Sequence, residues 1–126
     1  MFCYQITGDA RGEDFVCGDN IETFAYVEIE EGQFLELINC FAVPVEDTWP
    51  VKIENDTLSE GVYRVGVDIE PGEYKVKSTD EYSHYRITED ANGKEYVDGN
   101  TIEKSHYIEV REGEYLRLAK AEMKVN

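Results

Sequence analysis

A chain of 126 residues with 28 acidic and 12 basic side chains carries a formal charge of −16. That balance argues against nucleic acid and anionic membranes as partners, since both need a positive face. No apolar run approaches the roughly 18 residues of a membrane span, so no membrane insertion is expected of this segment. Hydrophobic residues make up 41% of the chain, enough for a core, although half of this length would be marginal alone.

The chain begins Met1-Phe2-Cys3-Tyr4, with neither the basic nor the apolar stretch of a signal peptide. From Tyr4 the sequence runs YQITGDARGEDFVCGDNIETFAYVEIEEGQFLEL, and from Tyr85 YRITEDANGKEYVDGNTIEKSHYIEVREGEYLRL. Residues 4–45 thus align with 85–126 without a gap, and a match of this length predicts one duplicated structural unit. Each copy reads as four short strands. In the second copy Tyr85–Thr88 leads into Asp90-Ala91-Asn92-Gly93, a turn whose Gly suits a positive φ. The return strand falls near Glu95–Val97, and Asp98-Gly99-Asn100 is a further turn signal. His106–Arg111 alternates, with Ile108 and Val110 on one face. Tyr115–Met123 runs back, and a change of apolar parity near Leu118–Lys120 predicts a bulge.

Between the copies, residues 44–60 read as a linker with two prolines and polar clusters. Residues 61–77 (GVYRVGVDIEPGEYKVK) predict a hairpin: Tyr63, Val65, Val67 and Ile69 alternate, and Glu70-Pro71-Gly72-Glu73 suits a type II turn. No copy of this hairpin precedes Tyr4. The expected organisation is a partial unit over 1–46, a linker over 47–60 and a complete unit over 61–126, standing apart or merged into one β domain. The fold class expected is all-β: an antiparallel β-sandwich or jelly-roll-like arrangement built from a duplicated hairpin unit.

The pattern GVYRVGVDIEPGEYKV, followed by a tail ending REGEYLRL, resembles a tandem module of uncharacterised bacterial proteins. There GxYxVGxDIPxGEYxV opens each unit and an acidic-Gly-Tyr-Leu-x-Leu segment closes it. Glu70 stands where that family usually has Pro or Ala. The resemblance implies a secreted or membrane-anchored protein of Gram-positive bacteria. It implies no catalytic residues.

Charge is uneven. Residues 1–46 hold ten acids and one base, Arg11, whereas 61–126 hold fourteen acids and ten bases. A solvated strand face is the ordinary reading of such patterns. The loops at Asp9–Asp14 and Asp90–Glu95 gather carboxylates that suit Ca²⁺, but EF-hand spacing is missing and Asp/Asn-Gly is ordinary turn chemistry. His84 and His106 form no ligand motif. Ser59, Ser78, Ser83 and Ser105 have no recognisable catalytic partners. Cys3 and Cys17 flank the first hairpin and either pair across it or stay free; Cys40 makes the count odd. No catalytic, cofactor or metal residues are therefore assigned, and no cofactor is expected.

Candidate ligand contacts are Trp49 in the linker, where an exposed indole anchors a partner or a packed one plugs the core, and an aromatic platform of Tyr82 and Tyr85 near His84. The expected function is a non-catalytic binding or interaction module whose partner is a protein, peptide or carbohydrate. The alternative is an assembly module. The first copy lacks its head strands, and an open sheet edge is completed by the linker, by the second copy, or by another chain in a homo-oligomer. A hydrolase using loop carboxylates is the remote third reading.

Overall fold

Alternation of apolar and polar side chains, rich in Tyr, Val and Ile, favours strands with one buried face. The computed structural model describes residues 3–21, 24–47 and 56–125, and among these it shows an all-β architecture with eleven strands and one 3₁₀ turn at Val45–Asp47. The strands are β1 Cys3–Thr7, β2 Phe15–Asn20, β3 Phe34–Ile38, β4 Thr57–Leu58, β5 Gly61–Arg64 and β6 Gly72–Ser78. Then follow β7 His84–Thr88, β8 Tyr96–Thr101, β9 Ser105–Val110, β10 Tyr115–Ala119 and β11 Ala121–Lys124. They form three antiparallel sheets with orders β2-β1-β3, β5-β10-β7-β8 and β4-β11-β6-β9.

The two four-stranded sheets face each other across the main core. Tyr63, Tyr85, Ile87, Leu116 and Leu118 come from one sheet, and Leu58, Val76, Ile108, Val110, Ala121 and Met123 from the other. All are nearly or wholly buried, and each Val, Leu, Ile and Met among them contributes on the order of 1.5–3 kcal/mol of transfer free energy. The N-terminal sheet holds a smaller cluster of Tyr4, Ile6 and Cys17, with Leu35 and Leu37 half-buried against it. Its strands β1, β2 and β3 each lie 81 positions before β7, β8 and β10, and both sets carry a register shift after the isoleucine, at Ile6/Thr7 and Ile87/Thr88.

Several local expectations are corrected. Asp98-Gly99-Asn100 is not a turn but the middle of β8, paired in register with Ile87, Arg86 and Tyr85. Residues 61–77 do not form a hairpin: β5 pairs with β10 and β6 pairs with β9 and β11, so the chain between them arches from one sheet to the other. The arch is held by the buried Asp68 carboxylate, which accepts from the Arg64 backbone N–H at 2.8 Å and from its guanidinium at 3.2 Å. Val67, at its tip, is 68% exposed rather than in line with Tyr63 and Ile69. The parity change after Leu118 is likewise no bulge. Lys120 takes φ 52°, and the chain leaves one sheet at Ala119 to enter the other at Ala121, which puts both parities into the same core. Finally, Thr57–Leu58, at the end of the expected linker, pairs with β11.

The N-terminal segment departs further. Residues 24–30, which align with β9, form no strand. They run instead over the sandwich. Phe24 stacks edge-on against Tyr63 at 5.3 Å, and a Cβ on Gly61 would lie 2.5 Å from the Phe24 ring. The Tyr26 hydroxyl donates to Asp68 at 3.1 Å, with its ring under the Arg64 guanidinium at 4.4 Å. Glu28 and Asn92 exchange two hydrogen bonds of 2.8 Å.

Candidate functional site

Strands alternate faces, so β7 and β10 send Tyr85, Ile87, Leu116 and Leu118 into the sandwich and His84, Arg86, Arg117 and Ala119 out of it. Arg86 and Arg117 stand directly opposite each other in register. On the N-terminal sheet Asp19 is opposite Tyr4 and shares its face. Asp19 forms an ion pair with Arg117 and lies 3.8 Å from Arg86. That carboxylate therefore fixes the N-terminal sheet over the outer face of the sandwich, where Val62, Thr88 and Ala119 are all buried.

Between these layers opens a cleft of about 140 Å³. Asp19, Asn20, His84, Arg86 and Arg117 supply its polar lining, and Phe24 and Val62 are among its apolar walls. Among the described residues two guanidinium groups meet one carboxylate here, a surplus of positive charge. Among the described residues no second carboxylate comes within ion-pair distance of either arginine. The Arg117 side chain is only 16% exposed. Burial lowers its pKa, with Tyr4 opposing the shift. Tyr4 lies within electrostatic reach of both arginines. Its pKa is raised, first by burial and then by Cys17, while Arg117 pulls the other way. Its buried hydroxyl has no hydrogen-bond partner among the described residues.

The equivalent hydroxyl in the sandwich is satisfied: Tyr85 donates to Asp98 at 3.1 Å. Burial, aided by that bond, pushes the Tyr85 pKa up to about 12. The residue aligned with Asp98 is Cys17, whose thiol is pushed up by burial.

The residues singled out in the sequence scatter. Tyr85 is 2% exposed, a core residue that offers no surface to a ligand. Its neighbour His84 points to the opposite face and reaches the cleft, so Tyr85, buried in the core, makes no exposed platform with Tyr82. Tyr82 is 75% exposed, with the Lys120 ammonium 5.5 Å from its ring. Trp49 lies outside the described residues. Ser83 is wholly buried, and its hydroxyl meets the carbonyls of Asp80 and Lys120, a structural role. Cys3 is in register with Asn20, and Cys17 with Ile6 on the other face of β1, so no bridge joins these two cysteines. The Cys40 thiol instead lies 3.5 Å from the Cys3 carbonyl oxygen.

The acidic loops are turns. Asp9 accepts from the Asp14 N–H, while Asp90 accepts from those of Lys94 and Glu95. Among the described residues no three His, Cys, Asp or Glu side chains gather as a metal site. No helix there is long and apolar enough to cross a membrane. Sequence reasoning missed the arginine cleft. Its sequence signal was that bases occupy the outward-alternating positions Arg86 and Arg117, between core residues, in an acidic chain. Compared with known proteins, the chain matches no family model, no curated protein and no solved structure.

Proposed function

We propose that the protein is a non-catalytic binding or interaction module of a bacterial surface or secreted protein, one and a half copies of a repeated unit, and that the interlayer cleft takes an acidic group of its ligand. The surface or secreted setting rests on the sequence resemblance alone. What supports the site is one observation: Arg86 and Arg117 face each other across adjacent strands, and among the described residues Asp19 is the one carboxylate paired with them. Two like charges side by side in a half-buried place favour a second anion. The net charge of −16 opposes anions at long range. At physiological ionic strength, however, charges beyond about 8 Å are largely screened, and the two guanidinium groups dominate inside the cleft.

Calorimetric titration of the dialysed full chain tests this with succinate, glucuronate and inorganic phosphate against glucose and Ca²⁺. Saturable heat is expected with the acids alone, and Arg86→Gln is expected to weaken it by about tenfold or more, the loss of one charge-assisted bond. Arg86 is the residue to change because Arg117 holds Asp19. Equal response to glucose, silence across the panel, or an unchanged constant in Arg86→Gln would each defeat the reading.

A further inference from the structure

A second surface, away from the cleft, lies along β3. In the sandwich, β10 is hydrogen-bonded on both sides, to β7 and to β5. In the N-terminal sheet the aligned strand β3 pairs with β1 on one side, and among the described residues no strand lies on the other. A strand edge presents a row of N–H and C=O groups that bonds another extended segment. Natural edges are blunted by Lys, Pro or a bulge. Phe34-Leu35-Glu36-Leu37-Ile38 has none of these, and its pairing with β1 is regular throughout. Phe34 is 48% and Ile38 43% exposed, and Phe41, just beyond, is 88% exposed.

We infer that the free edge of β3 is a strand-addition site for an extended basic segment of the pattern Gly-apolar-Tyr-Arg, supplied by another polypeptide. The sandwich provides the template. On β10, Gly61 lies opposite Leu118, Val62 opposite Arg117, Tyr63 opposite Leu116 and Arg64 opposite Tyr115. Transferred to β3, Gly faces Leu37, the apolar residue Glu36, Tyr faces Leu35 and Arg faces Phe34. The tyrosine then extends the half-buried row of Leu35 and Leu37, as Tyr63 extends that of Leu116 and Leu118. The arginine falls diagonal to Glu36 on the same face, within reach of a long side chain.

Charge selects the same occupant. Residues 24–47 contain Glu28, Glu30, Glu31, Glu36, Glu46 and Asp47 and no Lys or Arg. At the position of Arg117, whose partner strand carries Val62, β3 has Glu36. An acidic strand is repelled along this edge and a basic one is drawn to it.

The test uses the full chain and a labelled, end-blocked peptide Gly-Val-Tyr-Arg-Val, the sequence of residues 61–65. Saturable binding by anisotropy is expected, with amide hydrogen exchange over 34–38 slowed about tenfold or more and exchange over 115–119 unchanged. The exposed Glu36→Lys variant is expected to lose the peptide and to prefer a version with Glu in place of Arg. Three results overturn the inference. One is absence of saturable binding. Another is slowed exchange at 115–119 instead, which means that the peptide displaces β5. The third is self-association of the chain alone, by light scattering, that slows exchange over 34–38, which assigns the edge to a second copy.

Discussion

Removing one hydroxyl from each of two aligned tyrosines is expected to change stability in opposite directions. Tyr4 and Tyr85 are both 2% exposed, on aligned strands. The Tyr85 hydroxyl donates to Asp98, an exposed carboxylate; the Tyr4 hydroxyl is buried with no partner among the described residues, because Cys17 stands at the aligned position. A buried hydroxyl left unsatisfied costs about 1–3 kcal/mol, whereas a satisfied one contributes about 0.5–1.5 kcal/mol net. Tyr4→Phe keeps the ring and removes the cost, so it is expected to stabilise by about 1 kcal/mol. Tyr85→Phe loses a bond and is expected to destabilise by about 1 kcal/mol. For a chain of this size each effect corresponds to a Tm shift of about 3–6 °C. Urea unfolding at neutral pH reads both, as a change in midpoint at constant slope. Cys17→Asp supplies the missing acceptor, so it should cost less with Tyr4 present than in the Tyr4→Phe background, a coupling measurable by a double-mutant cycle. If Tyr4→Phe destabilises as much as Tyr85→Phe, the hydroxyl has a partner and the reasoning fails.

Two further outcomes follow from the same geometry. Asp19→Asn leaves the Arg117 guanidinium without its carboxylate; because Asp19 is 27% exposed, the expected loss is about 1–3 kcal/mol, below that of a fully buried pair. Faster amide exchange in β1 should accompany it, and unchanged exchange and stability would show that Asp19 does not hold the N-terminal sheet in place. Tyr26, raised to about 12 first by burial and then by Asp68, and Tyr85, also about 12, both stay protonated in the fold above the usual value of 10.0. The unfolded chain gives up these protons first, so their stabilising contribution is complete below pH 10 and is lost as pH rises through about 12. Melting temperature should fall across that window, less steeply in Tyr26→Phe; a slope untouched by that change would refute the assignment.

The strands themselves were largely legible in the sequence. Alternation placed a strand at 106–111, found at Ser105–Val110, and one from Tyr85, found from His84. The stretch Asp90-Ala91-Asn92-Gly93 marked a turn, and its Gly93 takes φ 74°. These are local matters, settled by which side chains suit a half-buried pleat and which residues tolerate a left-handed backbone.

Sheet membership is not local. Residues 61–77 have hairpin spacing, yet β5 and β6 lie in different sheets, because the buried Asp68 closes the arch on Arg64 and each strand finds its partners far along the chain. The change of parity at Lys120 is a crossing between sheets for the same reason. Residues 24–30 share the alternation of β9 but form no strand; they lie over the sandwich, where Phe24 packs on Tyr63 and Tyr26 on Arg64 and Asp68. The cleft belongs to this level too. Arg86 and Arg117 gain their meaning only when two strands adjoin and a third, from the other end of the chain, brings Asp19 between them. Sequence alone located most of the extended segments and the turn at residues 90–93, while its turn signal at residues 98–100 lies inside β8 and its strand over 24–30 does not form. Tertiary packing decided which apolar faces met, because burial rewards whichever complementary face is within reach, however distant it is along the chain.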